Sequence, residues 1–255
     1  MSALVRAELL KLRSTRTALG LFIAILVVTI VPLVALIAAL PKDWLETDGV
    51  AGFLNTASAL VPLVLLVFGV LGMTNEYRHG TITYSYLVTP RRWQVMVVKL
   101  AVYAAVGIVT MLVAVALVYV VILAGGAVRG VEIDASGGST LGDYARQIVV
   151  AGLVTTFGVA LGALFRAQVL TVAGALIWAL VAENIVSAVK PKIGMWLPFT
   201  AFNEVSAAQL GGNGSDTAAA VVEQLSRPTA FVVSLVYIAL VGLLAVFISL
   251  RRDVT

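Results

Sequence analysis

Six apolar runs joined by short polar segments predict an all-α integral membrane protein. It has six transmembrane helices behind an N-terminal interfacial helix. Three observations carry this. The chain is 61% hydrophobic and only 12% charged, where an average soluble domain carries about 25% charged residues. Its mean hydropathy of +1.06 leaves too little polar material to cover a globule, so the solvent must be lipid. Most of the charges sit between the apolar runs and few within them. One transmembrane domain accounts for residues 1–255.

Residues 1–17 place Val5, Leu9 and Leu12 on one helical face, with Arg6, Lys11 and Arg13 beside them. A basic helix lying along the inner leaflet fits; a basic tail that only fixes topology is the alternative. Residues 18–40 are the first span, with Pro32 inside. A basic start before an apolar run is also the layout of a signal peptide. This run outlasts an ordinary signal-peptide core, Pro41 follows it, and further spans come after, so it is read as retained.

Residues 41–49 are net acidic, with Trp44 at an interface. The second span covers about 52–74 and holds Pro62, tolerated where neighbours re-satisfy the freed carbonyl. The polar segment 75–92 follows, then a third span over about 95–123 and a Gly-rich loop over 124–143. The fourth span, about 144–164, carries Gly158 and Gly162 at the four-residue spacing that lets helices approach closely. A short turn at Arg166 leads into the fifth span, about 168–189. Residues 190–228 are too apolar for a solvated linker and too broken by Pro191, Pro198 and a Gly-Gly-Asn-Gly turn for a span. They suit two short helices that either dip into the membrane or lie on its face. The sixth span covers about 229–250.

Lysine and arginine fix the orientation. Six spans put both termini on one side. That side holds Arg6, Lys11, Arg13, Arg16, Arg78, Arg91, Arg92, Lys99, Arg166, Arg251 and Arg252, eleven of the chain's seventeen. Both termini are therefore expected to be cytoplasmic. The net charge of +4 follows from this bias. No basic patch is interleaved with exposed aromatics, so nucleic acid is not expected as a partner.

The chain offers little for catalysis. A single histidine and no cysteine exclude clustered His/Cys metal sites and thiol nucleophiles. No Gly-x-x-x-x-Gly-Lys-Ser/Thr phosphate loop and no Gly-x-Ser-x-Gly elbow occur. No catalytic residue, metal or cofactor is expected. Glu183 and Asn184 near the outer end of the fifth span, with Arg146 at the outer start of the fourth, are the ionisable or polar residues nearest the apolar core. They lie close enough to the interface to snorkel. A solvated or mutually paired edge is the ordinary reading. A place on a transport pathway is the alternative.

The segment 73–99 is the polar island. Thr81–Val88 predicts a short helix that ends before Pro90, because the residue preceding a proline avoids the α region. Thr89 is then a good N-cap and Pro90 a good first residue for the next helix. Arg91-Arg92-Trp93 anchors at the interface and Lys99 snorkels towards it. The result is a short helix braced between two spans; an ordinary basic cytoplasmic loop is the alternative that composition alone favours.

Residues 76–99 resemble the Glu-x-Arg-x-Gly-Thr-Ile/Leu … Thr-Pro-x-Arg … Lys signature of ABC-2 type transporter permeases. The opening Ala-Glu-Leu-Leu-Lys-Leu-Arg-Ser-Thr-Arg resembles the same family's small bacterial members. The resemblance implies a membrane subunit of a bacterial plasma-membrane exporter. It implies two permease chains working with two soluble ATP-binding subunits, so that ATP is bound by the partner. The 75–92 loop would supply a coupling helix docking in an ATPase groove. Residues 1–17 would form a connecting helix beside it, and 190–228 would form re-entrant outer helices. By matched position the coupling residues would be Glu76, Arg78, Gly80, Thr81, Thr89, Pro90, Arg91, Arg92 and Lys99, with Arg166 a second, minor contact. Cargo suited to an apolar pathway is lipid, peptide or drug-like amphipath. The competing readings are a secondary transporter without an ATPase and a non-transporting membrane immunity or sensor protein.

Overall fold

The structure, a computed structural model, describes residues 2–41, 60–88, 91–131, 138–206 and 225–251. In chain order the helices are α1 (Ser2–Ser14), α2 (Arg16–Ala39), α3 (Val61–Arg78), α4 (Thr81–Val88) and α5 (Arg92–Arg129). They continue with α6 (Gly138–Phe165), α7 (Gln168–Val189), α8 (Pro191–Gly194), α9 (Pro198–Ser206) and α10 (Arg227–Arg251). No strand occurs among the described residues. The chain is all-helical, as the absence of two-residue alternation in its apolar runs requires.

Among the described residues five helices, α2, α5, α6, α7 and α10, are long and apolar enough to cross a membrane. The helix of the expected second span, α3, is not among them. Its apolar stretch ends at Met73 and its last turn is Asn75-Glu76-Tyr77-Arg78. The expected start of that span, 52–59, lies outside the described residues. Polar residues 75–78, expected to open a loop, instead continue the helix. α5 is longer than its expected span because nothing in 124–129 stops it. It runs on to Gly130, whose φ of +67° closes the helix in the left-handed region, a conformation that suits glycine. At 1.5 Å per residue its 38 residues reach about 57 Å, well beyond a hydrocarbon core about 30 Å thick.

The core is α6 wrapped by α3, α5 and α10. α3 and α6 meet backbone to backbone. A Cβ on Gly158 would collide with the Leu66 carbonyl, and one on Gly162 would lie 2.8 Å from the Val70 carbonyl. The glycine spacing thus does what it predicts, and Gly69 answers it from α3 against the Thr155 carbonyl. Several buried threonine and serine hydroxyls in the spans bond within their own helices, as in Thr29 to Ile25 O (2.7 Å) and Ser234 to Ala230 O (2.8 Å).

Of the segment 190–228, expected to hold two short helices, the described residues form α8 and α9, and residues 207–224 lie outside the described residues. α9 is well buried. Phe199 and Phe202 pack edge-on against Phe157 of α6, with centroids 5.8 and 5.6 Å away. Arg129 at the end of α5 donates to the carbonyls of Ala38 (3.1 Å) and Leu40 (2.5 Å), tying the first and third spans together at that end.

Candidate functional site

At the other end of the bundle α1, α3, α4, α5 and the α6–α7 turn converge. Gly80 turns α3 into α4 at φ +66°. Space is not the constraint, since a Cβ there would meet nothing within 4 Å. The left-handed backbone is, and it costs an L-residue about 1–2 kcal/mol. Ile82, 1% exposed, then pins α4 inward among Met73, Met96 and Tyr103. On the opposite face Tyr84 and Leu87, one helical turn apart, are each 73% exposed. Thr81 is exposed on the first turn, its hydroxyl a long 3.5 Å from the Glu76 carbonyl.

Behind α4 sits a buried charge cluster. Lys99, 1% exposed, gives its ammonium to Glu8 Oε2 at 2.7 Å and to Glu76 Oε1 at 2.9 Å. Lys11 bridges the same two carboxylates, 2.8 Å from Glu8 Oε1 and 2.8 Å from Glu76 Oε1. The ammonium of Lys99 also lies 5.6 Å from the Tyr103 ring centroid. Two cations and two anions thus join α1, α3 and α5. Burial pushes the Glu8 carboxyl up, but Lys99 and Lys11 outweigh it and hold the group below its usual value. Burial pushes Lys11 down, and Glu76 and Glu8 outweigh that, leaving it raised.

Lys99 therefore does not snorkel. Its ammonium ends on two carboxylates, because α1 folds back over α5 and brings Glu8 to it across 91 residues. Glu76 faces the same cluster. Arg78 is exposed and donates to Gln168 Oε1 at 3.0 Å. Arg166, in the two-residue link between α6 and α7, has φ +60° and stacks its guanidinium 5.1 Å over the Tyr77 ring. The last turn of α3 and the turn after α6 thus share one surface. Arg91 is exposed and its carbonyl accepts from the Gln94 N–H at 2.9 Å. Arg92 opens α5. Thr89 and Pro90 lie outside the described residues.

Sequence reasoning missed Glu8, Lys11, Tyr84 and Leu87. The first pair carried a signal in their i, i+3 charge spacing. The second pair carried one as two apolar residues a turn apart inside the polar island.

Glu183 lies elsewhere, near the far end of α7. It is 3% exposed, so it does not reach outward. Residues 178–182 form a π turn, whose wider pitch aligns residues five apart. Trp178 Nε1 accordingly donates to Glu183 Oε1 at 2.9 Å. The carboxylate also accepts from the backbone N–H groups of Phe199 (3.1 Å) and Thr200 (2.8 Å) and from the Thr200 hydroxyl (3.2 Å). It caps the N-terminus of α9 from another helix. Asn184 is exposed and donates to the Leu180 carbonyl at 2.7 Å. Beside Glu183's partners a cavity of about 360 Å³ opens between α6 and α7, walled by Phe157, Leu161, Phe165, Leu170, Trp178 and Phe199.

No group of three or more potential metal ligands occurs among the described residues. A family model described as ABC-2 family transporter protein matches residues 4–182. The match takes in the whole charge cluster, α4 and the Arg166 turn, and stops before Glu183. No individual curated protein matches the chain.

Proposed function

The chain belongs to the ABC-2 transporter family, and from that premise we propose that it is the membrane subunit of an ATP-driven exporter whose ATPase docks on α4. The family and the five long apolar helices make it a multi-pass membrane protein and a transport permease. The observation that carries the docking proposal is the exposed pair Tyr84 and Leu87 on a helix anchored by Ile82. Burying each of two such side chains is worth about 1.5–3 kcal/mol. A tyrosine and a leucine one turn apart also suit a helix lying in a partner's groove.

In this reading the chain supplies no nucleotide chemistry. Two permease chains meet two soluble ATPase subunits, which bind and hydrolyse ATP. Closure of the ATPases pushes α4. Ile82 and the Gly80 turn keep α4 from yielding. The Glu8–Lys11–Glu76–Lys99 cluster passes the displacement to α1, α3 and α5 together, because moving one helix alone would strand a buried charge. Arg78 and Arg166 form a second, smaller contact beside α4. The membrane is the bacterial plasma membrane, with both termini on the cytoplasmic face where the lysines and arginines gather. The apolar cavity between α6 and α7 favours lipid, peptide or drug-like amphipaths as cargo moving outwards.

Co-purification tests this. The wild-type chain is expected to hold a soluble ATPase subunit through detergent extraction. Tyr84→Asp with Leu87→Asp is expected to lose it while melting like wild type, since both side chains point away from the bundle. If no ATPase accompanies the wild type and transport persists after ATP depletion, a secondary transporter takes this reading's place.

A further inference from the structure

The cavity of about 360 Å³ between α6, α7 and the start of α9 has four aromatic lining residues, Phe157, Phe165, Trp178 and Phe199. Trp178 and Phe165 are 44% and 53% exposed, so ring surface is open to a ligand. We propose that this cavity binds a hydrophobic organic monocation, an ammonium carried on an aryl or alkyl body. As a cargo class this rests on the exporter reading above; as a binding site it does not.

The first ground is what the lining lacks. Only two of its side chains, Thr171 and Trp178, carry a polar hydrogen. Both are committed, the Thr171 hydroxyl to the Ala167 carbonyl at 2.6 Å and the Trp178 indole N–H to Glu183 Oε1 at 2.9 Å. No side-chain donor is left to select an anion or a neutral polar ligand. What remains is the rings, whose negative faces attract a cation. The second ground is an anion behind the wall. Glu183 is 3% exposed and belongs to none of the ion pairs among the described residues. The indole and the Phe199 and Thr200 N–H groups can only donate to it, so both its oxygens accept, as in an ionised carboxylate. The N-terminus of α9 offsets about half of that charge. The rest is felt in the cavity across the indole, where the low dielectric weakens it little. Donation to an anion also pushes electron density into the indole ring and strengthens its attraction for a cation. The third ground is a cation turned away. Arg166 follows Phe165 in the chain, but its guanidinium lies over the Tyr77 ring and lines no part of the cavity. The field thus favours positive charge, and the leucines suit the ligand's hydrocarbon body.

The test uses the full chain in non-ionic detergent and two probes of one shape, benzyltrimethylammonium and its neutral carbon isostere neopentylbenzene. Binding is read by titration calorimetry against empty micelles. The cation is expected to bind about tenfold more tightly than the isostere, between the few-fold effect of an exposed ring and the roughly thirtyfold effect of a desolvated one. Gly174 lines the cavity and a Cβ there meets nothing within 4 Å, so Gly174→Phe is expected to fill the space, abolish binding of both probes and melt like wild type. Glu183→Gln keeps an acceptor for the indole but removes the charge. It is expected to weaken the cation several-fold and leave the isostere unchanged. Phe165→Leu removes an exposed ring and is expected to narrow the same preference should Glu183→Gln fail to fold. Equal affinities, tighter binding of the isostere, or cation binding that persists in folded Gly174→Phe overturns the proposal. So does a preference that neither Glu183→Gln nor Phe165→Leu lowers. The readout is binding to the isolated chain, so it stands or falls apart from ATPase docking.

Discussion

Replacing Lys99 by methionine should undock α1. The substitution keeps length and volume but removes an ammonium that is 1% exposed and lies 2.7 and 2.9 Å from two carboxylates. Glu8 and Glu76 are then left to share Lys11, whose side chain is 42% exposed. Breaking a buried pair by deleting one partner costs about 3–5 kcal/mol, because the survivor's charge stays desolvated. Glu8→Gln in the Lys99→Met background removes one stranded charge and leaves the Lys11–Glu76 pair intact. That double variant should recover about 2 kcal/mol, a coupling of the size found between contacting residues. Local release of α1 is read by trypsin cleavage after Lys11 and Arg13. A loss of 3 kcal/mol raises the open population, and with it the initial cleavage rate, by about two orders of magnitude. If Lys99→Met is cleaved like wild type, or if the Glu8 and Lys99 losses simply add, the cluster does not hold α1 in place.

The same cluster predicts a pH window. Glu8's depressed value means that its contribution is present above the ordinary carboxylate value of 4.5 and is lost as pH falls through its folded value. Lys11's raised value means that its contribution is present below 10.5 and is lost as pH rises through its folded value. The chain has no cysteine, so Arg13→Cys carries a single nitroxide; it should be immobile at neutral pH and mobile in strong acid, and a signal unchanged across that range contradicts the window. Gly158→Ala must push α3 off α6 and should cost about 1–3 kcal/mol in thermal unfolding. Gly174→Ala, with nothing within 4 Å, should be neutral or gain about 0.5–1 kcal/mol, and equal effects at the two sites would refute the interlock. Glu183→Ala strands the Phe199 and Thr200 N–H groups and the Trp178 indole, and should cost about 1–3 kcal/mol. Glu183→Gln, which keeps an acceptor, should cost less, and a shifted Trp178 fluorescence reports the loss of its partner.

Much of this architecture is legible in the sequence because apolar length and helix punctuation are local. The span boundaries at Gln168 and Val189 and the α4 bounds Thr81 and Val88 follow from residues beside them. The close approach of α3 and α6 follows from Gly158 and Gly162. Tertiary pairing is not local. Nothing near Lys99 announces Glu8, and a lysine at the edge of a span reads as a snorkelling residue until α1 is known to lie across it. Glu183 reads as an interface acid because its partners come from α9, whose docking depends on three phenylalanines meeting. Tyr84 and Leu87 escape notice because an apolar residue is unremarkable in an apolar chain until its exposure is known.

An ATPase that pushes on α4 must lie against Tyr84. A photo-crosslinking residue placed at Tyr84 tests it most directly, read in intact membranes by sequencing the captured chain. A soluble ATP-binding subunit should be captured, and Leu87→Asp should abolish the capture. Capture of lipid alone, or of a second copy of this chain, would contradict it.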